Sequence, residues 1–197
     1  MKVYLTNLNE SWIVDRLRHE WYKHNSSIST ESIKEAEIIW IVAPWLWKNI
    51  KKKYLRDKKV VCSIYHIEEK DFEQKQIKEF NKRDCFVDLY HVISLKTKKE
   101  LEKLTDKEII YIPFWSDQNT WFKIDDKDDL RNKYGLPLDA YIIGSFQRDT
   151  EGSDLKSPKL IKGPDRLIQI IESKNKEFNK VIILLSGKRR QYIIKEL

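Results

Sequence analysis

Between Tyr141 and Ile171 the chain reads YIIGSFQRDTEGSDLKSPKLIKGPDRLIQII. An apolar run ends at Gly144 and Ser145, a charged loop follows, and Gly163-Pro164 opens an amphipathic segment. Glycine at the end of a buried strand permits a tight turn and close backbone approach. Proline suits the first helical position, where its missing N–H is harmless. The free N–H groups and positive end of that helix then point at the loop, where anions bind readily. Arg148 and Lys162 bracket the loop with two positive charges. Arginine forks onto two oxygens and lysine acts as a point charge. Together these residues suit a phosphate. An ordinary strand-to-helix loop with surface Arg and Lys is the plainer reading of the same spacing. Neither GxxxxGK[ST] nor GxGxxG occurs.

His66, in CSIYHIEE, follows an apolar run at the end where α/β proteins bind ligands. It suits hydrogen-bond donation or proton buffering, or a bond to backbone at a strand end. Glu68 and Glu69 read as a solvated helix start favoured by the dipole. His19, His24 and His91 carry no further signal. Among the tryptophans, Trp12, Trp21 and Trp40 read as core, and Trp115 and Trp121 as flanking an interdomain stretch. Trp45 and Trp47 precede KNIKKKYLRDKK, residues 48–59. Aromatics beside a basic run suit an anionic membrane surface, and equally a helix with a solvated lysine face.

These residues hang on a repeating scaffold. Apolar runs at 2–7, 37–43, 58–65, 86–94 and 108–114 read as strands, buried on both faces where the run is continuous. Helical spacing separates them: Ser11 caps 11–25, PWLWKNIKKKYLRD (44–57) reads as one helix, and 71–83 is amphipathic. Thr97 with Glu100 makes a capping box for TKKELEKL. Alternating strand and helix means a parallel sheet in an α/β architecture. The polar stretch 115–129 interrupts it. Beyond lie a short helix in DLRNKYGLP with Gly135 at its C-terminal cap, strand 140–146, helix 164–174 and strand 180–186. Two strands and about 60 residues make a marginal domain by burial. Such a unit packs on the first domain or belongs to a longer one.

Composition bounds the rest. The chain has 197 residues, 41% hydrophobic and 12% aromatic, enough for a packed core. Net charge is +7, which favours an anionic partner, though Lys and Arg number 38 against 31 acids and the signs are mixed. No nucleic-acid motif appears, so nucleic acid is not an expected partner. Cys62 and Cys85 form no ligand spacing, which argues against structural zinc and suits a reducing compartment. No signal peptide and no apolar run long enough to span a bilayer occur, so a cytoplasmic protein is expected. The basic residues 48–59 are the expected point of any peripheral contact with the inner membrane face, with a solvated lysine face as the plainer reading.

IIGSFQRD…KLIKGPDRLIQII resembles the start of the C-terminal domain of retaining GT-B glycosyltransferases, with its iGsfgR…KGpdlLi pattern. EIIYIPFWSDQNTWFKIDDKDDLRNKYGLP is similar to that family's crossover between domains, and VIILLSGKRR to the next strand. The likeness runs from about residue 108 to the end and is looser before it. It implies a GT-B-like fold: a Rossmann-like, acceptor-side domain over 1–120, a connection over 121–138 and the first part of a donor domain over 139–197. It implies transfer of a sugar, with retention, from a nucleotide-diphosphate donor to a saccharide or lipid-linked acceptor, as in cell-surface polysaccharide biosynthesis. No cofactor or metal is implied, because Arg, Lys and a helix N-terminus neutralise the leaving diphosphate. Carried over, Arg148, Lys162 and Gly163 hold the diphosphate, Gly144 and Ser145 border the donor, and His66 is the catalytic residue near the reacting sugar. The chain departs from the pattern in three places. Thirteen residues, 149–161, separate Arg148 from Lys162, where the family has a short gap. TNLNESW stands where a glycine-rich turn is usual. The family's paired glutamates would lie beyond Leu197, as in a truncated donor domain. A non-catalytic phosphate- or saccharide-binding α/β protein, or an inactive truncated transferase, is the alternative.

Overall fold

The computed structural model describes residues 1–8, 13–67, 74–114, 116–152 and 155–197. Ser11, Trp12, Glu68, Glu69, Trp115 and the start of the 71–83 helix lie outside them. The chain divides into Met1–Asp117 and Gln118–Leu197.

The first unit holds five parallel strands in the order β1 (Val3–Leu5), β2 (Ile38–Ile41), β3 (Lys59–Ile64), β4 (Leu89–Val92) and β5 (Glu108–Tyr111). Their register aligns Ile39, Val60 and, one pair along, Cys62 with Tyr90 and Ile109 on one face. Trp40, Ser63 and His91 lie on the other. Helix α1 (Ile13–His24) covers the second face, with the Trp21 ring edge-on to Trp40 at 5.0 Å. Such a pair adds about 1 kcal/mol beyond its burial. Helix α3 (Gln74–Asp84) covers the first face, where Phe80 stacks on Tyr90. Helix α4 (Leu95–Leu101) buries Leu101 in the same core.

Sequence order and strand order coincide, yet helices cover both faces. An isolated bridge explains this. Val3 pairs in parallel with Ser29 on the side away from β2, and the Thr30 N–H donates to the Val3 carbonyl at 3.0 Å. The chain thus leaves β1 to one side, touches its outer edge at Ser29, and returns to the other side to form β2. That reversal is a topological switch point of the doubly wound kind.

Two local expectations change. Residues 44–57 form a 3-10 turn, Pro44–Asn49, and a separate helix α2, Lys52–Asp57. At about 100° per residue a single helix would place Leu55 opposite Leu46. Both are buried, and the extended Ile50 and Lys51 reset the phase. Helix α4 is capped by Ser94, whose Oγ accepts from the Thr97 N–H at 3.1 Å; Thr97 is the capped residue.

The second unit contains α5 (Lys127–Lys133), β6 (Tyr141–Ser145), α6 (Pro164–Glu177), β7 (Val181–Leu185) and α7 (Gln191–Glu196). β6 and β7 pair in parallel. Gly135, at φ +64°, ends α5: the Gly135 and Leu136 N–H groups donate to Asn132 and Arg131 carbonyls. This is the glycine cap the sequence predicts.

Candidate functional site

The loop between β6 and α6 folds out as a hairpin with a closed base. The Lys159 N–H donates to the Asp149 carbonyl at 2.7 Å, and the Glu151 N–H to the Ser157 carbonyl at 2.8 Å. Thr150 pairs antiparallel with Pro158. The long insertion is therefore pinched off. A single 3-10 turn, Leu160–Lys162, then leads to Gly163, which caps α6 in the left-handed region at φ +65°. Pro164 takes the first helical position.

Lys162, Gly163, Gln147 and Arg166 line an open cavity of about 570 Å³, with Leu160 and Ile170 among its apolar residues. Of the residues singled out in the sequence, Lys162 and Gly163 line this cavity, beside Gln147 and Arg166. Arg148 is exposed and is not among the lining residues. Gly144 lies within β6 at ordinary φ, so no turn requires glycine there. A side chain would meet the Phe146 ring, 2.8 Å from the Cβ position, so the close approach at Gly144 is by that ring.

Ser145 is buried, and its Oγ accepts from Arg190 Nη2 at 2.7 Å. Arg190 precedes α7 and is 5% exposed, with no partner for Nε and Nη1 among the described residues. Asp149, 1% exposed, ties three segments together. Its Oδ2 accepts from the Ile193 N–H at 3.1 Å, its own N–H donates to the Arg189 carbonyl, and its carbonyl closes the hairpin. Thr150 Oγ1 and Asp149 Oδ1 are also buried and have no partner among the described residues. Buried polar atoms of this kind are normally satisfied, so this cluster suits one or two bound waters.

In the first unit the carboxyl ends of β1 and β2 meet at the switch point. The Thr6 N–H donates to the Trp40 carbonyl, and Thr6 Oγ1 accepts from the Val42 N–H at 3.1 Å. Beside them Thr6, Asn7, Asn49, Lys51, Tyr4 and Tyr54 line a cavity of about 340 Å³. Aromatic walls with a few polar groups at a switch point are the usual setting for a small ligand.

His66 is exposed, two residues beyond β3 and outside that cavity's lining. His91 is the buried histidine. Its Nε2 faces the Ile112 carbonyl at 2.9 Å and so carries the proton, which leaves Nδ1 to accept from Ser63 Oγ at 2.9 Å. Ser63 Oγ accepts in turn from Trp40 Nε1. Burial holds the His91 pKa below its ordinary value. The chain of bonds closes with the imidazole neutral.

No family model matches the chain, and no curated protein matches it.

Sequence reasoning passed over Arg166 and Arg190. Arg166 had a signal: it stands at the third position of α6, in the turn that carries the free N–H groups. Arg190 had none, because GKRRQ reads as a surface run. It is turned inward after Gly187 and Arg189, both at positive φ. Among the described residues no helix is long and apolar enough to cross a membrane, and no three acidic, His or Cys residues gather as metal ligands.

Proposed function

We propose that the second unit binds the diphosphate of a nucleotide sugar and that the protein is a retaining glycosyltransferase of the GT-B kind. The carrying observation is the closed base of the hairpin. It leaves Lys162, the left-handed Gly163 and Arg166 around one cavity at the start of α6, despite the insertion. Lys162 and Arg166 would bind the phosphate oxygens with the free N–H groups of α6, and Arg148 would reach them from the hairpin side. Leu160 and Ile170 offer apolar ground for the rest of the nucleotide. Charge developing on the leaving diphosphate would meet fixed donors, which is how such sites lower a barrier. The saccharide or lipid-linked acceptor is assigned to the first unit, at the crevice beyond Thr6 and Asn7, with His66 as the hydrogen-bonding residue for the reacting sugar.

Calorimetric titration with UDP and GDP tests the binding step. Lys162→Ala and Arg166→Ala should each weaken it by roughly 10- to 100-fold, the range for a charge-assisted hydrogen bond, with or without EDTA. Absence of heat with either nucleotide, or variants that bind like the parent, would refute the assignment. Binding without consumption of any nucleotide sugar would support a non-catalytic phosphate- or saccharide-binding protein.

A further inference from the structure

The net charge of +7 is unevenly spread. The layer built from the 3-10 turn Pro44–Asn49, α2 and α3 carries much of it. On α3, Lys75, Lys78 and Lys82 fall within about 60° of arc at 100° per residue, opposite buried Phe80. All three are exposed. Lys51, Lys52, Lys53 and Arg56 add further exposed charge at α2, against Asp57 as its one acid.

Side-chain contacts weld these segments into one surface. Glu79 on α3 pairs with Lys48 of the 3-10 turn and with Lys82 at 3.4 Å. The Phe86 ring, just past α3, packs on Trp47 at 5.9 Å and lies under Arg56 at 5.8 Å. In a 3-10 helix residues three apart lie along one edge, which puts Trp45 on the same edge of the turn as Lys48. Trp45 is 49% exposed. Lys58 and Lys59 do not belong to this surface. Lys58 Nζ donates to the Lys34 and Ala36 carbonyls, and Lys59 pairs with Asp88.

We propose that this face docks on an anionic lipid bilayer, with Trp45 at headgroup level and the lysines of α2 and α3 against the phosphates. Lysine stems reach along the surface while their ammonium groups stay in contact with water and headgroups. An indole half in and half out of the protein belongs at the headgroup boundary, and anionic lipid attracts each nearby lysine. A soluble polyanion would use the charges and leave the indole without an apolar layer. The assignment is independent of the proposed chemistry and fails or stands separately from it.

Flotation of the full chain with vesicles tests it, using phosphatidylcholine alone and phosphatidylcholine with phosphatidylglycerol in equal parts. The protein should float only with the anionic vesicles, and added salt should release it. Lys75→Gln, Lys78→Gln and Lys82→Gln together should lower partitioning by on the order of 100-fold, roughly fivefold per charge. Lys23→Gln, Lys99→Gln and Lys103→Gln, exposed on α1 and around α4, serve as the charge-matched control and should change it little. Trp45→Ala should weaken binding and abolish part of the quenching by brominated lipid. All variants are at exposed positions, and circular dichroism checks their fold. No flotation with anionic vesicles, or equal loss in the two lysine triples, overturns the proposal. Binding to soluble polyphosphate as tight as to vesicles, and indifferent to Trp45→Ala, would assign the face to a polyanion instead.

Discussion

Replacing Asp149 with alanine should loosen the end of the second unit, and the structure says by how much. The carboxylate is 1% exposed and accepts the backbone N–H of Ile193, itself 0% exposed. Ile193 lies in the first turn of α7, so Asp149 caps that helix from a distant point in the chain. Removing it strands a buried donor and a charge-assisted bond, at a cost of about 2–3 kcal/mol. Local opening should then become roughly 30- to 150-fold more frequent. Hydrogen exchange read by mass spectrometry measures this in peptides from α7. The peptide carrying Lys159 should also exchange faster, since its N–H donates to the backbone carbonyl of Asp149. Peptides from β3 should not change, because β3 belongs to the other unit and the bonds of the node run to Lys159, Arg189 and Ile193. Asp149→Asn keeps an acceptor oxygen and should cost about half as much or less. Wild-type exchange at α7 in the alanine variant, or equal acceleration at β3, would refute the reasoning.

Gly163→Ala should cost about 1–2 kcal/mol in urea unfolding, the penalty of a side chain in the left-handed region. No clash contributes, since the nearest atom to the new Cβ is Arg166 Cδ at 3.7 Å. Cys62 is fully buried and its thiol is pushed up to about 12 by that burial, whereas Cys85 is exposed. One thiol should therefore react with iodoacetamide in the native protein and two after unfolding. The His91 pKa is lowered by burial, so the unfolded chain binds the proton first as pH falls. Stability from this group is complete above about pH 6.5 and declines below it. His91→Gln should remove that part of the pH dependence of the urea midpoint, and an unchanged pH profile would argue against it.

Most of the scaffold is legible in the sequence because continuous β-branched runs mark buried parallel strands. The runs overshoot: after Glu108 the stretch 109–114 is apolar throughout, but β5 ends at Tyr111 and Ile112 and Phe114 are exposed. Apolar character marks what is available for pairing; neighbouring strand length decides what pairs. The switch point is invisible for a different reason. It rests on one bridge at Ser29, within NSSIST, and a single paired residue leaves no alternation to read. The hairpin in the insertion has the same problem, with pairing over about three residues a side and a proline opposite Thr150. Lys162, Gly163 and Pro164 are legible as a helix start because helix-start chemistry is local, whereas Gln147 and Arg166 are not singled out by it. Glycine, proline and a flanking lysine announce it without any distant contact.

The residues of the proposed diphosphate site are held by different structure, and that separates the roles proposed for its cations. Lys162 ends the 3-10 turn and Arg166 stands in the first turn of α6, with Gly163 between them and the Leu167 N–H bonded to the Gly163 carbonyl. Arg148 precedes Asp149, whose backbone and carboxylate anchor it to Arg189, Lys159 and Ile193. If Arg148 reaches the diphosphate, it does so from that node. Asp149→Ala should then weaken UDP or GDP binding chiefly by freeing Arg148. Combined with Arg148→Ala it should add little further loss, while combined with Lys162→Ala the losses should add to within about 0.5 kcal/mol. The opposite pattern, additivity with Arg148 and coupling with Lys162, would place the node on the α6 side and remove Arg148 from the site.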